Sequence, residues 1–108
     1  MTPQHQELAS GKWKSLSFVE QMANIGSEVE RAISWRNKAN QEYSRLAFER
    51  SLELLDLSLS AGLSFPRLKE LTRLREMLAD YFVFGNSFNS TDSQWQKYFL
   101  AFNFAARA

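Results

Sequence analysis

The sequence predicts an all-α fold, a four-helix up-and-down bundle with a short N-terminal extension. Three observations carry that expectation. Apolar residues recur three and four apart in separate stretches, helix-starting patterns stand before those stretches, and the segments between them are short and rich in glycine, asparagine and serine. Short connections between long helices favour antiparallel neighbours.

Residues 1–16 form the extension, and residues 17–108 a single bundle domain. A short helical turn is expected near Pro3 to Ala9, with Trp13 and Leu16 folding the segment back onto the bundle. The first helix is announced by Ser17 and Glu20, three apart as in a capping box. Phe18, Met22, Ile25, Val29 and Ala32 follow as a stripe that faces a partner helix. Asn37 to Asn40 supplies turn-tolerant residues, so the chain restarts near Gln41. The second helix, about Gln41 to Ala61, carries apolar side chains from Tyr43 to Leu59 around most of its circumference and belongs in the middle. Ser44, Ser51 and Ser58 recur every seventh residue and let a neighbouring backbone approach. Gly62 suits a C-terminal cap, and Pro66 opens a third helix reaching about Phe84. Gly85 and Asn86 stop it. Thr91 and Gln94 form a second capping-box pattern, opening a last helix to about Arg107.

With 108 residues, of which 44% are apolar and 14% aromatic, the chain can bury one core and is not composed like a disordered segment. Its formal charge is +1 with no run of like charges, so charge gives no support to a nucleic-acid partner or a polybasic membrane contact. The absence of cysteine removes disulfides, thiolate nucleophiles and cysteine-bound metals. The one histidine, His5, stands in a polar segment, which disfavours histidine-based catalysis. No apolar run approaches the roughly 20 residues of a membrane span, and Met1 to Gly11 lacks a signal peptide's charged start and apolar middle. A cytoplasmic protein without membrane contact is expected.

Function is sought among polar residues at positions where the helical periodicity expects apolar ones. Arg75 projects between Leu68 and Phe82 on the third helix, and Arg36 projects along the stripe of the first. In an up-and-down bundle both are expected toward one end, near Asp92 and Glu42. Each guanidinium needs a carboxylate, helix-terminal carbonyls or an anionic ligand such as a phosphate or nucleotide. A second constellation is acidic. Glu49, Glu53 and Asp56 share a wedge of the second helix with Arg45. Such carboxylates either hold magnesium for a phosphate-bearing substrate, or form a solvated face on which Arg45 pairs with Glu49. Glu53 and Asp56 resemble the E-x-x-D half of the all-alpha nucleotide pyrophosphohydrolases, whereas Glu28-Val-Glu30 departs in spacing from the other half.

The segment Arg73 to Phe82, Arg-Leu-Arg-Glu-Met-Leu-Ala-Asp-Tyr-Phe, resembles the signature helix of HEPN domains. These are small helical bundles that dimerise, often partner nucleotidyltransferases, and in active members cleave RNA. On that resemblance Arg75 matches the signature arginine and Glu76 its polar follower, while Asp80 stands where the family has histidine. Tyr81 falls one residue before the tyrosine of the toxin subgroup, whose place is held by Phe82. An ionised aspartate does not replace imidazole as acid and base near neutral pH, so the resemblance implies a degenerate, non-catalytic member.

The last helix has two apolar faces. Trp95, Tyr98, Phe99 and Phe102 define one, and Leu100 and Phe104 project from the other. The second face is covered by the N-terminal segment with Trp13, or is half of a symmetric dimer interface. The sequence thus favours a non-catalytic interaction protein with no cofactor, a homodimer or bound to a protein partner. The alternative is a phosphate- or nucleotide-acting enzyme, magnesium-dependent and pyrophosphohydrolase-like, or ribonuclease-like.

Overall fold

A computed structural model describes residues 11–107. Among the described residues five helices run in order: α1 (Trp13–Ser15), α2 (Phe18–Asn37), α3 (Gln41–Leu59), α4 (Phe65–Phe82) and α5 (Asp92–Arg107). The four long ones are the four expected from the periodicity. Their termini obey the capping chemistry written in the sequence. Ser17 Oγ accepts from Glu20 N, and Glu20 Oε1 accepts from Ser17 N, closing the box that starts α2. Asn40 Oδ1 accepts from Tyr43 N to start α3, directly after Ala39 turns the chain with a φ of 62°. Thr91 and Gln94 exchange the equivalent bonds at the start of α5.

The bundle is all-α, and its layout follows from which faces are apolar. Met22, Ile25, Val29 and Ala32 of α2 are all at most 1% exposed, and α2 packs against both α3 and α5. α3 also carries α4, and α4 meets α5 through side chains, as where Tyr98 donates to Glu70 at 2.7 Å. The serine column works as a seam. Ser44, Ser51 and Ser58 are all buried, and Ser44 Oγ donates across to the Ala32 carbonyl of α2 at 2.7 Å. The closest approach between α2 and α5 lies at Gly26, where a methyl group would stand 2.7 Å from Phe99 Cβ. Tyr43, expected among the apolar residues of α3, is 48% exposed and sets its ring edge-on against Trp35.

Trp13 does fold back, and it enters the core. Its side chain is buried, and its indole N–H donates to Ser58 Oγ at 2.9 Å. Ser58 donates to Gln21 Oε1, and Gln21 Nε2 donates to the Trp13 carbonyl, closing a ring of buried polar groups. Core packing therefore reaches four residues before the expected boundary at residue 17. The turn expected at Pro3 to Ala9 lies outside the described residues.

Candidate functional site

The two arginines singled out in the sequence are not brought together. Arg36 ends α2 beside the start of α5, where its Nη2 donates to Asp92 Oδ1 and, at 3.2 Å, to the Tyr81 hydroxyl. Tyr81 donates to the same Asp92 oxygen, and Asn37 Nδ2 reaches Asp92 Oδ2 at 3.4 Å. The guanidinium also lies 5.0 Å from the Tyr81 ring centroid and 5.5 Å from that of Phe82. Burial pushes the Asp92 carboxyl up, but the hydrogen bonds from Tyr81, Arg36 and Asn37 outweigh it and hold Asp92 below the usual carboxylate range. Asp92 was foreseeable as Arg36's neighbour from the topology. Tyr81 was not, because its position in α4 read as part of a family signature.

Arg75 occupies a different environment from the one its position suggested. The core stripe of α4 runs through Leu71, Leu74 and Leu78, not through Leu68, Arg75 and Phe82. Leu68 is 38% exposed, and the Arg75 side chain is 41% exposed. Arg75 Nε donates to Asp56 Oδ1 at 2.8 Å, a surface pair between α4 and α3. The guanidinium of Arg75 therefore has a carboxylate of its own, Asp56, whereas that of Arg36 is held by Asp92.

That pair also removes one corner of the acidic wedge. Asp56 is held by Arg75, and Glu49 accepts from Arg45 Nη1 at 2.6 Å, the i,i+4 pair of a solvated helix face. Glu53 lies between them along α3. Among the described residues no group of three acidic or histidine side chains converges as a metal site, so Glu49, Glu53 and Asp56 do not form the magnesium cage considered from their spacing. Glu28 is buried and serves as a cross-helix anchor, accepting from Arg31 and, at 2.9 Å, from Arg50 Nε of α3. Its spacing to Glu30 offered no hint of that role.

The segment that resembles the HEPN helix is dispersed over three structural tasks. Arg75 binds Asp56, Tyr81 binds Asp92, and Asp80 organises the loop between α4 and α5. Asp80 is 6% exposed and accepts from Ser87 N and Oγ at 2.8 Å each and from Phe88 N at 3.0 Å. Burial pushes this carboxyl up, but the bonds from Phe88 and Ser87 outweigh it and keep Asp80 ionised below the usual range. Asn86 continues the same loop, donating to the Ser90 carbonyl while accepting from Ser90 N. Glu76 is exposed on the outer side of α4.

Large apolar side chains stand exposed on α5 among the described residues. Leu100 and Phe104 of α5 are 50% and 67% exposed, whereas Trp95 and Phe99 on the opposite side are 5% and 4% exposed. Trp13 does not cover this face, because it lies against α3 and Gln21. Beside Leu100 a groove of about 740 Å³ runs between α2 and α5, with Gly26, Val29 and Ile33 on one wall and Phe99 and Leu100 on the other. A smaller cavity of about 430 Å³ lies between α4 and α5, lined by Leu74, Met77, Phe88 and Trp95. No helix among the described residues is long and apolar enough to cross a membrane. Comparison of the chain with protein-family models, with curated proteins and with solved structures returns no match to any of them.

Proposed function

We propose that this chain is a non-catalytic interaction module that docks a protein partner on the outer face of α5. The exposure of Leu100 and Phe104 one turn apart, on a helix whose other face is fully engaged in the core, carries that reading. Two large apolar side chains held in water on a well-packed helix serve an interface better than they serve the fold. The polar residues point the same way. Arg36, Arg75, Glu49, Asp56 and Asp80 each engage another group of the chain, in ways that support a structural role. The resemblance of Arg73 to Phe82 to HEPN helices fits this reading in its degenerate, non-cleaving form.

The test combines stability with association. In the double variant Leu100→Glu/Phe104→Glu the unfolding free energy should stay within about 0.5 kcal/mol of the parent, since neither side chain belongs to the core. A photo-crosslinking amino acid in place of Asn103, in the groove wall, should join the parent protein to a second polypeptide in the source cells, and the double variant should lose that product. A loss of stability on the scale of a core substitution, or a parent that crosslinks to nothing, refutes the reading.

A further inference from the structure

The cavity between α4 and α5 is lined by hydrogen-bond donors that the chain itself leaves unused. Ser90 is 7% exposed and lines it, yet the Ser90 hydroxyl has no partner among the described residues. Paired bonds with Asn86 fix the Ser90 backbone, so the residue is held while its hydroxyl stays unengaged. Trp95, a second wall, is 5% exposed, and its indole N–H has no acceptor among the described residues. Arg73 also lines the cavity and has no ion pair among the described residues. The acceptors, by contrast, are engaged. Glu70 accepts from the Tyr98 hydroxyl at 2.7 Å, and burial and the Glu70 carboxylate push that hydroxyl up, so it keeps its proton. Gln94 Oε1 accepts from Thr91 N, which leaves the amide N–H groups of that side chain as donors.

The lining has an order. α4 and α5 run antiparallel, since Tyr81 meets Asp92 and Trp95 while Glu70 meets Tyr98. Arg73 therefore stands toward one end and Ser90 toward the other, with Leu74, Met77 and Trp95 between them. The volume of about 430 Å³ falls within the range of about 300–1,000 Å³ of small-molecule sites. From this arrangement we infer that the cavity binds a small molecule with an apolar middle, a carboxylate at one end and a neutral oxygen at the other. The planar guanidinium of Arg73 meets a carboxylate with two parallel N–H bonds. With Glu70 three residues earlier on the same helix, that single cation suits a singly charged group better than a phosphate. The middle lies against Leu74, Met77 and the Trp95 ring, which suits an aromatic body. Ser90 Oγ donates to the oxygen at the far end. The lining has no histidine and its carboxylate is held by Tyr98, so the site binds without acid–base chemistry.

Three probes separate the parts of this inference. Hydroxyphenylpropionate carries both polar ends, phenylpropionate lacks the far oxygen, and hydroxyphenylpropylamine replaces the carboxylate by a cation. Calorimetry with the full chain gives affinities, and the indole N–H signals of the three tryptophans in a nitrogen-correlated NMR spectrum locate the site. Hydroxyphenylpropionate should bind saturably, move the Trp95 indole signal and leave that of Trp13 in place. It should bind about tenfold tighter than the amine and about fivefold tighter than phenylpropionate. Arg73→Gln should erase the preference for acid over amine, and Ser90→Ala the preference for the hydroxylated acid. Neither side chain is bonded within the fold, so thermal unfolding of each variant should match the parent. No saturable binding of any probe, as for a cavity that holds only water, overturns the inference. So does binding that leaves the Trp95 signal unmoved, or preferences that survive the two substitutions. Neither Leu100 nor Phe104 lines this cavity, so these results bear on the α4–α5 site alone.

Discussion

Gly26 offers the sharpest test of how α5 is seated. A helix-interior glycine replaced by alanine ordinarily gains about 1 kcal/mol from propensity alone. Here the added Cβ would lie 2.7 Å from Phe99 Cβ and 2.8 Å from both Cγ and Cδ1, against an ordinary carbon separation of about 3.5–4.0 Å. Phe99 has little room to yield, because its ring stacks on Trp95 and meets Tyr98 edge-on at a centroid distance of 5.0 Å. Relief therefore requires α5 to retreat by roughly 0.7–1 Å, and overpacking of this kind costs about 1–3 kcal/mol. Gly26→Ala should then be destabilising by about 1 kcal/mol net, lowering the midpoint by about 4–8 °C in a domain of this size. Thermal unfolding by circular dichroism measures it, with the exposed Ser27→Ala as a control expected to be near neutral. In a Phe99→Ala background two of the three contacts disappear, so the effect of Gly26→Ala should shrink or change sign. If Gly26→Ala raises the midpoint, or acts identically with and without the Phe99 ring, the close seating of α5 on α2 is wrong.

The buried ring at Trp13 predicts that Ser58→Ala costs about 1–3 kcal/mol in chemical denaturation, since it strands the indole N–H and the Gln21 oxygen together. Trp13→Phe should cost no less, and a loss under 0.5 kcal/mol in either would show that the ring contributes little. Asp92 and Asp80 both have folded-state pKa values below the unfolded value near 3.9, so their stabilisation is present above that pH and is lost as pH falls through the lower folded values. Stability should therefore decline below about pH 4, and Asp92→Asn should flatten that decline while weakening the protein at neutral pH. An unaltered acid slope in the variant refutes the assignment. Arg75→Ala should cost only about 0.2–1 kcal/mol, and a cycle with Asp56→Ala should recover most of it as coupling, because the pair is solvent-exposed on both sides. A larger loss would return Arg75 to a buried role.

Much of the fold was legible because its determinants are local. Ser17 and Glu20, Asn37 to Asn40, and Thr91 with Gln94 act within one turn of the chain, and the structure uses each of them at a helix boundary. The serine column was legible too, since a seven-residue period fixes one helix face whatever lies opposite. Less visible was the rotation of α4. Leu68, Arg75 and Phe82 form a heptad, but Leu71, Leu74 and Leu78 form an equally good stripe, and only contact with α3 decides between them. That rotation of about one residue carried Arg75 from the core to a surface pair with Asp56. Gly26 carried a signal that went unread. A glycine inside a strongly periodic helix lowers its stability and calls for a packing reason, which Phe99 supplies. The polar ring of Trp13, Gln21 and Ser58 spans 45 positions between its outermost members and left no local trace.

The way the polar groups are used supports the proposed interaction role. A catalytic site keeps donors, acceptors or carboxylates turned toward a space where a substrate can enter. In this chain Asp92 is held by Arg36 and Tyr81, Asp80 by Ser87 and Phe88, and Glu49 and Asp56 by Arg45 and Arg75. Each of these arrangements locks one element to another. The Asp92 node ties α2, α4 and α5 at one end of the bundle, and Asp80 fixes the loop that aims α5. Glu28 with Arg50 fastens α2 to α3. Together they tie α2 and α5 to the rest of the bundle. If Leu100 and Phe104 dock a partner as proposed, substitutions at Asp80 or Asp92 should weaken that docking indirectly, through the seating of α5.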